Sequence, residues 1–121
     1  MAESKQFTTT QIINHVVNYY KTNPRSFNYR GTCAYTGVNG EHCGFAILCE
    51  KPELITEGSS ISDILKSNIK LKPEFDGQTI FFYQDIQALH DTNFYWEETY
   101  TGNKLTQTGI ERVKFLKKFY N

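Results

Sequence analysis

At 121 residues the chain is sized for one domain, 1–121, and its 39% apolar and 21% charged content suits a globular protein rather than a disordered one. The net charge is zero, which disfavours nucleic acid as a partner, because duplex binding demands a basic excess. No apolar run approaches the roughly 20 residues of a membrane span, and the first residues lack the apolar stretch of a leader.

The charge is unevenly placed: residues 1–49 carry +2, residues 50–100 carry −6 and residues 101–121 carry +4. A basic C-terminal helix lying against an acidic middle is one simple use of that asymmetry. The three cysteines are an odd number, which points to reduced thiols and a cytoplasmic home. Nine Phe, eight Tyr and one Trp exceed what a small core needs. The surplus suggests a partner surface or a homodimer interface.

The first helix begins with a capping box, Thr8 as N-cap and Gln11 at N3, with Phe7 placed to staple onto Ile12. Ile12, Ile13, Val16, Val17 and Tyr20 follow at helical spacing, and Asn23-Pro24 ends the run. Residues 29–50 then gather all three cysteines (Cys33, Cys43, Cys49) and four glycines around an Asn39-Gly40 turn. Residues 29–36 read as a short strand, and 42–49 as either its hairpin partner or a short helix, with helix preferred. Ser60 opens a second helix with Ile61, Ile64 and Leu65 inward. A third helix over 79–90 buries Phe82, Ile86 and Leu89, flanked by Phe81 or Tyr83. Residues 93–103 read as a loop or a poor helix. Thr108 to Glu111 is a further capping-box pattern, opening a last helix with Ile110, Val113, Leu116 and Phe119 or Tyr120 inward. The fold class expected is α+β, a mainly helical single domain of about four helices with a small hairpin or strand element near residues 29–48.

Several constellations could carry chemistry. A helical run from His42 would put Cys43 in a first turn, where free N–H groups favour a thiolate. His42 or His90 (or His15) would then be the base and Asp91 its orienter. No hydrolase signature surrounds Cys43, and the cysteines equally suit small apolar core positions. Cys33, Cys43, His42 and His90 are soft enough for zinc, but their spacing fits no common finger, so no metal or cofactor is expected. His90-Asp91 resembles a dyad, yet neighbouring side chains on a helix diverge by about 100°. An anionic ligand would fall to Arg30 and Arg112. Phe94, Tyr95, Trp96 and Tyr100 form an aromatic and acidic stretch suited to a partner, with Trp96 the natural anchor.

Cys33-Ala34-Tyr35, a glycine turn, Cys43-x-x-Ala46-Ile47-Leu48, then Glu57-Gly58 and Asp85-Ile86-Gln87-Ala88-Leu89-His90-Asp91 (close to Leu-x-x-x-His-Asp), resemble a group of small bacteriophage and prophage proteins. The likeness spans about residues 29–91. It departs at Thr36, where Arg is usual, and at Gly44 and Ala46, which exchange the small positions. The resemblance implies an origin and carries over no catalytic residue. With no catalytic motif present, the expected function is an accessory protein that binds and inhibits a host defence or replication protein. The alternatives are a binder that sequesters a nucleotide-like signal and a Cys43-dependent hydrolase or transferase.

Overall fold

A computed structural model describes residues 6–25, 35–37 and 42–121. Four helices and one two-stranded antiparallel hairpin make a mainly helical α+β domain. Helix α1 spans Thr9–Lys21. Its capping box is formed as expected: the Thr8 hydroxyl accepts the Gln11 N–H, and the Gln11 side chain accepts the Thr8 N–H. Phe7 stands edge-on to Phe75 at 5.4 Å. The inner face of α1 is Ile12, Ile13, Val16 and Tyr20.

Residues 42–49 are neither the strand nor the α-helix expected. They form a single 3-10 turn, Ala46–Leu48, flanked by isolated antiparallel bridges, Thr36 with His42 and Cys49 with Leu71. Every residue from Cys43 to Cys49 is buried, so neither a two-fold nor a 3.6-fold period exists to read.

Helix α2 is Ile61–Lys66, with Ser60 accepting the Asp63 N–H. Ile61 and Ile64 are buried, whereas Leu65 is exposed. Helix α3 is Ile80–Asp91, N-capped by Thr79. It buries Phe82, Tyr83, Ile86, Leu89 and His90, and leaves Phe81 in solvent.

The expected loop at 93–103 is instead the hairpin of the fold. A 3-10 turn, Asn93–Tyr95, leads into β1 (Trp96–Glu98), which pairs with β2 (Asn103–Leu105) in the register Trp96 with Leu105 and Glu98 with Asn103. What selects this pairing is remote in sequence. Asn103 donates to the carbonyls of Tyr20 and Asn23, and Thr101 donates to Lys21, so the hairpin caps the unsatisfied C-terminal end of α1. Gly102 lies against the same carbonyls: a Cβ there would stand 2.6 Å from the Lys21 oxygen.

Helix α4 spans Gln107–Phe119 and begins two residues earlier than the sequence suggests. Its N-cap is Thr106, whose hydroxyl accepts the Gly109 N–H and donates to the Phe94 carbonyl. Val113 and Leu116 face inward as expected, with Gly109 beside them and Tyr120 half-buried, whereas Ile110 and Phe119 are exposed. One apolar core joins α1, the 43–49 segment, α3, Trp96 and α4. No helix among the described residues is long and apolar enough to cross a membrane.

Candidate functional site

Residues 35–36, 43–46, 57–59 and 87–91 meet in space. The Glu57 carboxylate accepts the N–H groups of both Tyr35 and Thr36, at 3.0 and 2.8 Å. The Tyr35 hydroxyl donates to the Ser59 carbonyl, and the Tyr35 carbonyl accepts the Cys43 N–H at 3.0 Å. Gln87, in mid-α3, then holds the 43–46 segment. Its Oε1 accepts the Phe45 N–H at 3.1 Å, while its Nε2 donates to Asp91 at 2.9 Å. Gly44 permits this approach: a Cβ would sit 2.9 Å from the Ile86 carbonyl oxygen and 3.0 Å from the His90 Cβ.

His90 and Asp91 do pair, contrary to the helical divergence expected of neighbours: His90 Nδ1 lies 2.7 Å from the Asp91 carboxylate. Asp91 is the last residue of α3, where no following turn of helix confines its side chain. The His90 carbonyl accepts from the Arg25 guanidinium, and its ring lies 5.1 Å from that of Tyr20. Tyr20 in turn donates to the His42 carbonyl. The cluster ties α1, the 35–49 segment and α3 together through polar groups that each have a partner, as buried polar networks require.

Its cysteines are held in the thiol form. Burial pushes the Cys43 thiol up to about 12, against weaker help from the Ala46 and Phe45 N–H groups. The Ala46 N–H meets Cys43 Sγ at 3.3 Å. Burial likewise raises Cys49 to about 12. Among the described residues no imidazole bonds to Cys43; His42 Nδ1 faces the Thr36 hydroxyl at 3.4 Å. Iodoacetamide at neutral pH is therefore expected to label Cys43 at a rate set by unfolding, far below that of a free thiol. Labelling as fast as a free thiol, in protein that remains folded, would contradict this placement.

Burial also lowers the pKa of His90, outweighing the opposite pull of Asp91. His15, packed on Phe75, is lowered by burial and by Lys72, with Glu74 opposing. The unfolded chain takes up these protons first as pH falls below about 6.5, so folded stability is full above that value and declines beneath it. The denaturation midpoint is expected to fall between pH 7 and 5, and His90→Gln to flatten part of that slope. A slope unchanged by His90→Gln would assign the loss elsewhere.

The other predicted residues are dispersed. Arg30 and Cys33 lie outside the described residues, and among those described no three His, Cys, Asp or Glu side chains form a metal-sized group. Arg112 is on α4, 3.7 Å from Asp85. Trp96, expected as a surface anchor, is only 6% exposed and donates its indole N–H to the Leu89 carbonyl at 2.7 Å. Its neighbours face outward: Phe94 is 80% exposed, Tyr100 is wholly so, and Tyr95 is half-buried. Beside Tyr100 lies an open cleft of about 460 Å³, walled by residues 98–103 with Pro24 and Arg25. Sequence reasoning gave no role in this cluster to Gln87, Tyr20, Arg25 or Glu57. Tyr20 stood on the apolar stripe of α1 and Glu57 in the Glu57-Gly58 pair, while Gln87 stands four residues before Asp91 and so on the same helical face.

Comparisons with protein-family models, curated proteins and solved structures found no match.

Proposed function

We propose that this protein is a phage-type accessory protein that binds and inhibits a host protein, with Phe94 and Tyr100 at the centre of the contact. The observation that carries this reading is two exposed aromatic rings held at fixed positions on either side of β1. Trp96 and Asn103 fix the strands of that hairpin to the core, so its backbone has little freedom left to lose on binding. Exposed aromatics on an ordered frame are the usual anchors of protein interfaces. Glu97 and Glu98 flank them and favour a partner with basic groups at its rim. The buried Cys43 thiol and the partnered His90–Asp91 pair suit a structural hub better than a nucleophile. Affinity capture from bacterial lysate is the test. The wild type should retain a specific protein that a Phe94→Ser/Tyr100→Ala variant, melting at the wild-type temperature, does not. Equal retention by both would remove the hairpin from the interface.

A second reading, a binder of a nucleotide-like molecule, has one observation in its favour. The cleft beside Tyr100 falls within the usual size of small-molecule sites and offers a ring for stacking. Mass spectrometry of the purified protein should then reveal a bound ligand that Tyr100→Ala loses.

A further inference from the structure

A second exposed aromatic patch lies on the opposite use of the helices, where α3 and α4 run side by side. Phe115 and Phe119 stack on α4, with ring centroids 5.7 Å apart. They are 52% and 65% exposed. Phe81, 68% exposed, stands on α3 one turn before Asp85 and on the same face. Asp85 joins the two helices: it accepts from the Tyr120 hydroxyl and pairs with Arg112 at 3.7 Å. Tyr120 also packs edge-on against Phe82 at 5.0 Å and against Phe119 at 4.8 Å. The Arg112 guanidinium lies over the Phe115 ring at 5.0 Å. At about 200 Å² per aromatic side chain, the stacked Phe115 and Phe119 leave roughly 230 Å² of ring surface in water, and Phe81 exposes a further ring on α3. Exposed apolar surface of a few hundred Å² is often functional.

The surrounding charge identifies the occupant. From residue 112 to the end of α4 every charged residue is basic: Arg112, Lys114, Lys117 and Lys118. Lys114 and Lys118 are exposed along the outer side of the Phe115–Phe119 ladder. A second copy docked about a two-fold axis would bring these cations onto their own images, a like-charge contact that opposes association. An anionic membrane would accept the cations, but would also have to seat the Asp85 carboxylate that lies between the helices. A helical segment with leucine-like residues on one face can set its carboxylates opposite the lysines and place no acid opposite Asp85, which a uniformly anionic surface cannot do.

We propose that the α3–α4 face docks an acidic amphipathic helix of another protein, separately from the hairpin surface. The probe is a synthetic fluorescent helical peptide with leucines at i, i+3, i+4 and i+7 and glutamates flanking them. Fluorescence anisotropy should show saturable binding. Phe115→Ser/Phe119→Ser should weaken it at least tenfold at unchanged Tm, as should Lys114→Glu/Lys118→Glu. Phe94→Ser/Tyr100→Ala should leave it unchanged, which separates this face from the hairpin. Absence of peptide binding overturns the proposal, as does equal binding by the Phe115→Ser/Phe119→Ser variant. Two further results overturn it: binding of phosphatidylglycerol vesicles in place of the peptide, and a dimer in sedimentation that Phe115→Ser/Phe119→Ser dissolves.

Discussion

Trp96→Ala is expected to destabilise the fold by about 3–5 kcal/mol, the usual cost of truncating a large buried aromatic ring. A Tm lower by about 10 °C or more should follow for a domain of this size. Three losses add together. The ring leaves a cavity between α1 and β1, where it now stands 5.8 Å from Tyr20. The Leu89 carbonyl loses the indole N–H that it accepts at 2.7 Å. The first residue of β1 no longer anchors the hairpin that caps α1. Trp96→Phe should recover the packing and not the hydrogen bond, and so fall between the two. Tyr100→Ala, at a fully exposed ring, should leave Tm within about 1 °C of wild type. A Trp96→Ala protein as stable as wild type would return Trp96 to the surface role that its size suggested.

Gly109→Ala should destabilise by roughly 1–3 kcal/mol, although the substitution raises helix propensity. In an open helix, alanine gains about 1 kcal/mol over glycine. Here the added Cβ would fall 2.3 Å from the Tyr95 carbonyl oxygen and 3.0 Å from Leu105 Cδ2. The first neighbour is backbone, and the same carbonyl already accepts the Thr106 N–H at 2.9 Å. It cannot move without disturbing the N-cap of α4, so overpacking outweighs propensity. Chemical denaturation of Gly109→Ala beside the wild type measures which of the two effects prevails. Stabilisation by Gly109→Ala would show that α4 is not held against the Asn93–Tyr95 turn.

The helices were legible where a local signal and the tertiary fold agree. Thr8 with Gln11, and Ser60 with Asp63, mark N-termini that the structure uses. Where a local signal and the packing disagree, packing wins: the capping-box pattern points to Thr108, but the close approach of Gly109 to the Tyr95 carbonyl goes with the start at Thr106. The hairpin was hidden for a different reason. Its strands are three residues each, and its stability comes from carbonyls of Tyr20, Lys21 and Asn23, about 80 residues away. The candidate site was half legible. His90 and Asp91 pair, and Gln87, a residue with no motif of its own, links Asp91 to the Phe45 N–H, two residues from Cys43. The cysteine and glycine motifs of residues 29–50 pointed to the structural hub, and the exposed rings on the hairpin and on α4 stand outside them.

Site-specific photo-crosslinking tests most directly the claim that the hub is structural and the hairpin does the binding. A photoreactive phenylalanine analogue would replace Tyr100 in one variant and Leu54, also exposed, in another. Both would be irradiated in bacterial lysate. The hairpin reading predicts one discrete adduct of defined mass from position 100 and none from position 54. No adduct from position 100, or the same adducts from both positions, would contradict it.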